Sequence, residues 1–226
     1  MGSPEPAARK PGRPRDPDRE ARRKAEILDA AAAVFAEVGF ANADVQVIAD
    51  RVGVGKGTVY RYFPTKRELF LAAVDRGLKD LSARIDAIVD DPARDPLDQV
   101  SAAVLAYLTF FHGRPEMVEL FIQERAEFRD RHTPLYFANQ DEKHKNSRDI
   151  PLLRKLVADD RFRAVDPEQF LTVVGDLLYG TIMSNHLAGR PASPAAQANA
   201  ILDIILHGVL SDAERKRQHR AKGSEG

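Results

Sequence analysis

Val47-Ile48-Ala49-Asp50-Arg51-Val52-Gly53-Val54-Gly55-Lys56-Gly57-Thr58-Val59-Tyr60-Arg61-Tyr62-Phe63-Pro64-Thr65-Lys66-Arg67-Glu68-Leu69 is the stretch on which the fold turns. Just ahead of it, Asp44 is a candidate N-cap for a short helix with Val45, Ile48 and Val52 on one face. Val52-Gly53-Val54-Gly55 then reads as a tight turn, and Lys56 to Tyr62 as a second short helix that Pro64 stops. Two short helices joined by a glycine-containing turn make a helix-turn-helix, whose second helix enters the major groove of DNA. Val59 and Phe63, four apart, face the core, which turns Lys56, Thr58, Tyr60 and Tyr62 elsewhere. Gly57 lets a sugar-phosphate chain come close. Lysine ammonium and tyrosine hydroxyl groups suit phosphate oxygens, contacts that position a protein on DNA more than they read sequence.

Outward from this stretch the periodicity stays helical. Ile27, Ala31, Val34, Phe35 and Val38 recur at three- and four-residue steps, and Gly39 ends that helix. Thr65 and Glu68 form a capping box that opens a long helix with Phe70, Val74, Leu78, Leu81, Ile85 and Ile88 on its buried side. Asp95-Pro96, Asp166-Pro167 and Ser193-Pro194 each place a capping residue before a proline at the first helical position. They predict helices over 96–112, 167–188 and 194–210. Pro115 opens another over 115–129, and Pro151 a shorter one to Ala158. No alternating run suggests a strand. The chain therefore reads as all-α: a disordered basic arm over 1–18, a three-helix DNA-binding domain over 19–66, a larger helical domain over 67–210 and a charged, fraying tail over 211–226.

Charge supports the division. Net charge is zero, yet residues 1–67 carry 13 Lys/Arg against 9 Asp/Glu, and the remainder is acidic by the same margin. A basic front on an acidic body suggests a polyanion-binding module joined to something else. There are no cysteines, which excludes disulfides and thiolate metal sites. No apolar run reaches the roughly 18 residues that cross a bilayer, and no signal-peptide pattern opens the chain. A cytoplasmic protein that does not enter a membrane is the expectation.

Other chemistries fit less well. Gly53 to Thr58 superficially resembles a phosphate-binding loop, but Asp50 and Gly57 stand where a glycine and a hydroxyl residue are required. Neither Gly-x-Ser-x-Gly nor His-Glu-x-x-His occurs, and the six histidines have no ligand spacing. No catalytic group, metal or cofactor is expected.

Residues 47–69, with the preceding helix, resemble the signature of the TetR family of repressors. The resemblance implies a three-helix DNA-binding domain on a larger ligand-binding and dimerisation domain. It also implies DNA contacts from Tyr60 and Tyr62, from Lys56 and Gly57 at the start of the recognition helix, and from Lys66 to a backbone phosphate. Gly55 departs from the serine usual there, and Asp44 from a threonine. Aspartate repels phosphate, so Asp44 is expected to cap, and Gln46 is the better contact. With Thr58 and Arg61 these residues complete the set in the helix-turn-helix. Lys10-Pro11-Gly12-Arg13-Pro14-Arg15 resembles the core of an AT-hook, so Arg13 and Arg15 are candidates for a narrow minor groove.

The implied partners are an operator duplex, a second copy of the chain and a small-molecule effector. Leu171, Val174, Gly175, Leu178 and Ile182 on one helix, and Ile201, Leu202, Ile205 and Val209 on the next, fit a four-helix dimer interface. Packed inside one subunit, the same stripes are ordinary core. For the effector, Tyr107, Phe111, Phe121, Phe128 and Tyr179 are the candidate aromatic lining. If buried, Glu124 selects a cation and Arg125 an anion. The alternative is ordinary core with a surface Glu/Arg pair.

Overall fold

A computed structural model of the chain describes residues 17–138, 149–191 and 193–223. Ten helices are designated α1 (Pro17–Asn42), α2 (Val45–Val52), α3 (Lys56–Tyr62), α4 (Lys66–Val89), α5 (Pro96–Gly113), α6 (Pro115–Glu127), α7 (Asp149–Ala158), α8 (Pro167–Leu187), α9 (Pro194–Val209) and α10 (Asp212–Gly223). A helical turn also covers 135–138. Among the described residues there is no strand, only an isolated antiparallel bridge between Phe162 and Leu210.

The helix boundaries follow the capping chemistry. The carboxylates of Asp44, Asp95 and Asp166 accept from the amides of Gln46, Leu97 and Gln169, and the hydroxyls of Thr65 and Ser193 from those of Glu68 and Ala196. Gly39 breaks the regular turn of α1 with φ 81°. Gly53 ends α2 at φ 68°, a left-handed conformation that a residue with a Cβ enters at about 1–2 kcal/mol. The Gln99 amide donates to the carbonyls of Val89 and Asp91, tying the loop after α4 back to α5.

One apolar core runs through α1 to α6 and on into α8 and α9. Ile27, Phe35, Ile48, Val59 and Phe70 lie at its helix-turn-helix end, and Leu120, Phe121, Leu178 and Ile182 at the other. The expected boundary at residue 66 therefore falls at a helix start, not at a gap in packing. A smaller cluster joins Leu97, Val100, Leu153, Leu156, Phe162, Val209 and Leu210.

Two expectations about the ends need correction. Pro17 and Asp18 are already helical, so α1 begins inside the expected arm; residues 1–16, with Arg13 and Arg15, lie outside the described residues. The expected fraying tail is helix α10. Its Glu214 is buried and paired with Arg161, which also bonds Asp95 at 2.6 Å. The Ser211 hydroxyl accepts from the Glu214 amide and donates to the carbonyl of Asp160. Composition alone hides this, because charges that pair over long sequence separations look like solvated ones.

Candidate DNA-binding and effector sites

The reading head is built by α1 to α3 against the start of α4. Val59 is fully buried and Phe63 nearly so, as the spacing requires, and this turns Gly57, Tyr60 and Arg61 to solvent. Lys56, Thr58 and Tyr62 are half-buried. Lys56 Nζ lies 2.9 Å from Asp44 Oδ1. That hydrogen bond lowers the Asp44 pKa, helped by the Gln46 amide, and raises that of Lys56. Asp44 therefore caps α2 and also anchors the first residue of α3. Gln46 is exposed and donates to Asp50 at 2.7 Å.

Lys66 is more committed to the protein than the sequence suggests. Its ammonium donates to the carbonyls of Ala41 and Ala43 at 3.0 and 2.9 Å and sits 4.9 Å from the centre of the Phe40 ring. An ammonium has three N–H donors, so one is left for an outside acceptor. Lys66 thus joins the turn after α1 to the start of α4.

Behind the head, Phe40, Phe70 and Phe128 pack edge to face, with ring centres 4.9–5.4 Å apart. Arg67 stacks on Phe128 and pairs with Asp130 at 2.6 Å. Gln123 donates to the carbonyl of Phe35 at 2.9 Å. Phe128, expected in an effector cavity, is instead part of this joint between head and body.

The expected aromatic lining separates into different places. A cavity of about 110 Å³ lies among α4, α5, α7 and α8, lined by Ile85, Val104, Leu153, Phe170, Val174 and Leu178 among others, with Tyr107 and Asp149 as its polar residues. Of the seven candidate effector residues, only Tyr107 lines it. Its hydroxyl is 2.8 Å from that of Tyr136, and burial pushes its pKa well above the usual phenol value. Phe121 and Tyr179 pack around Tyr136, at 5.4 and 4.5 Å between ring centres. Phe111 borders a second cleft at the far end of α5.

Glu124 is only 2% exposed. One carboxylate oxygen accepts from the Leu135 amide at 2.9 Å and lies 3.5 Å from Arg131, while the other has no hydrogen-bond partner. Burial raises its pKa; the Leu135 amide and Arg131 oppose that shift without cancelling it. Arg125 is exposed, a correction to its expected place beside Glu124. The buried side of α6 is centred on Met117, Leu120, Phe121 and Glu124. Arg125 lies at its margin, where a long charged side chain turns to water.

The family description "Bacterial regulatory proteins, tetR family" matches residues 27–73, which span the helix-turn-helix and its flanking helices. The chain is 26% identical over 198 residues to the HTH-type transcriptional repressor KstR2 of Mycolicibacterium smegmatis, covering 87% of this chain and 95% of that one. Residues 27–73 thus form a DNA-binding domain of the tetR family. The chain is a DNA-binding transcriptional regulator.

Solved structures of such regulators share its fold. KstR2 of Mycobacterium tuberculosis superposes with a TM-score of 0.61 at 22% identity, covering 84% of this chain and 96% of that one. FadR from Bacillus subtilis, in complex with stearoyl-CoA, superposes with a TM-score of 0.65 at 18% identity, covering 81% and 98%. Among the described residues, no helix is long and apolar enough to cross a membrane.

The residues of the expected dimer stripes divide between buried and half-buried positions. Leu178, Ile182, Leu202 and Val209 are buried within the subunit. Leu171, Val174 and Gly175 line the apolar cavity with Leu178, and Ile201 and Ile205 are half-buried against the core. The outward apolar residues are Val173 (60% exposed), Leu177 (42%) and Leu187 (74%) on α8, and Ile204 (73%) on α9. Both helices are apolar on two sides, one packed toward the subunit core and one turned to solvent.

Proposed function

We propose that the chain is a dimeric repressor, acting in the cytoplasm, that leaves a palindromic operator when a small, largely apolar effector enters the cavity beside Tyr107. The DNA reading rests on the face of α3. An internal helical glycine costs about 1 kcal/mol relative to alanine. A Cβ at Gly57 meets nothing within 4 Å. Packing inside the protein therefore gives no reason for the glycine, whereas close approach of a phosphate backbone does. Tyr60 and Arg61 flank it in solvent, and Lys56, Thr58, Tyr62, the third donor of Lys66 and the exposed Gln46 complete the proposed contact set. Arg13 and Arg15 are proposed to follow into an adjoining minor groove.

Dimerisation is proposed through Val173, Leu177, Leu187 and Ile204. Four large exposed apolar residues on two adjacent helices favour burial against a second copy, and a two-fold dimer matches a palindromic operator. The effector reading rests on the apolar lining. A pocket for a drug-sized ligand encloses roughly 300 Å³ or more, and this cavity holds about 110 Å³. Such a ligand must spread the walls, and the Tyr107 wall leads through Tyr136 and the Leu135 amide to Glu124 on α6. That helix ends at Phe128 against Phe40 and Phe70. The other structure's stearoyl-CoA belongs to that protein; here the apolar lining alone supports the effector class.

The test is binding to DNA spanning the chain's own promoter, titrated with salt. Tight, salt-sensitive binding, weakened by combined Lys66→Ala and Tyr60→Phe substitutions, is expected. Ile204→Glu should give monomers by sedimentation and weaken binding. Failure of every selected sequence to bind would sink the DNA reading.

A further inference from the structure

A second cleft, of about 140 Å³, opens where the C-terminal ends of α5 and α8 meet the first turn of α9. The apolar cavity beside Tyr107 has a different lining, and the proposed repressor mechanism does not use this cleft. Its floor is apolar: Leu108, Phe111 and Ile182 are all buried. Its rim carries His112 from α5, His186 from α8 and Arg190 from the turn after α8. No acidic residue is among its described lining residues.

Local bonding keeps that rim in place. His186 Nε2 is 3.1 Å from a carboxylate oxygen of Glu119. A carboxylate accepts, so Nε2 carries the proton and the ring is held on the rim. Asn185 donates to Gln197 at 3.0 Å, closing α8 against α9. The last carbonyls of α8 would ordinarily present partial negative charge here. Instead, those of Ser184, Asn185 and His186 accept from the amides of Ala188, Arg190 and Gly189, a turn that Gly189 permits at φ 57°.

We propose that this cleft binds a monoanionic carboxylate with a small apolar body, the carboxylate between His112 and Arg190 and the body on the floor. A dry apolar cavity of about 150 Å³ admits benzene. An apolar body of about six to eight carbons therefore matches the space. Charge-assisted hydrogen bonds from a guanidinium are the strongest of the available contacts, so Arg190 is the principal anchor.

Isothermal titration calorimetry on the full chain tests this with octanoate, octylamine and inorganic phosphate. Octanoate should bind at least about tenfold more tightly than octylamine, which has the same chain and the opposite charge, and than phosphate, which has no apolar body. Arg190→Glu should weaken octanoate about tenfold or more while leaving the circular dichroism spectrum and Tm unchanged, because Arg190 is exposed. Ala103→Phe, which fills the other cavity, should leave octanoate binding intact. The proposal is overturned if octanoate does not bind, if octylamine or phosphate binds as well, or if Arg190→Glu binds like the parent. Loss of binding in Ala103→Phe with retention in Arg190→Glu would move the ligand to the other cavity and overturn it too.

Discussion

Replacing Tyr136 by phenylalanine removes one oxygen and leaves the ring in place. The ring packs against Phe121, Phe137 and Tyr179, so packing is conserved and the loss isolates the hydroxyl. That hydroxyl is 2.8 Å from the Tyr107 hydroxyl in a buried setting. Tyr107 is 4% exposed; without this partner its hydroxyl loses its buried hydrogen bond. A buried polar group left unsatisfied costs about 1–3 kcal/mol, whereas removing both partners together is close to neutral. Tyr136→Phe is expected to cost about 1–3 kcal/mol, and the double variant with Tyr107→Phe clearly less than the sum of the two single losses. In a chain of this size each kcal/mol lowers Tm by about 2–4 °C. Urea unfolding and thermal scans of the four proteins, at one protein concentration, give the cycle. Additive losses would refute the reasoning, since they would mean that the two hydroxyls do not serve one another.

Glu124 makes stability depend on pH. Its folded pKa is raised, chiefly by burial, so the folded chain holds this proton more tightly than the unfolded one. Its contribution is fully present below the unfolded value of 4.5 and is lost as pH rises through the folded pKa. Glu124→Gln should flatten that part of the pH–Tm profile. At Gly53, with φ 68°, alanine should cost about 1–2 kcal/mol and alanine at exposed Gly55 far less, as read by thermal unfolding. Arg161→Ala takes from buried Glu214 a guanidinium at 3.2 Å. Limited proteolysis should then release α10 faster, with a Tm lower by several degrees, on the order of 1–3 kcal/mol; unchanged cleavage would mean that the Arg161–Glu214 pair does not hold α10 in place.

Local chemistry made the helices legible. The caps at Asp44, Thr65, Asp95, Asp166 and Ser193 act within three residues, and the structure places each helix start within a residue of where they put it. Val59 and Phe63 were legible for the same reason, since one buried pair orients a short helix. The effector lining was not. Phe111, Phe121, Phe128 and Tyr179 are all aromatic, but ring type does not say which void a ring faces. Phe128 went to the head joint because α6 ends at Glu127 and the chain bends there. On α8 the alternation of Val173 and Val174, and of Leu177 and Leu178, gave two apolar stripes, and only packing separates the one that fills the subunit. Gly77 inside α4 was a signal left unread: a Cβ there would lie 2.3 Å from the terminal methyl of Met117, so the glycine marks the close approach of α4 and α6.

That close approach bears on how the head can move. If α1 to α3 formed a separate domain on a hinge, α4 would swing freely at Thr65. The contacts exclude so loose a joint. Lys66 binds the carbonyls of Ala41 and Ala43, Gln123 of α6 binds that of Phe35, and Phe40, Phe70 and Phe128 share one aromatic cluster. A core packed at crystal-like density does not deform gradually. Phe40 and Phe70 travel with α1 and α4 while Phe128 stays with α6, so tilting the head against α6 breaks the Phe40–Phe128 and Phe70–Phe128 contacts. Aromatic pairs contribute about 0.5–1.5 kcal/mol each beyond area burial, so breaking two of the three contacts costs on the order of 1–3 kcal/mol. A coupling energy between two ligand sites is typically about 1–3 kcal/mol. Breaking those contacts would consume most of that, so under the proposed mechanism the head, α4 and the end of α6 are expected to move together, carrying binding in the body to the spacing of two α3 helices in a dimer.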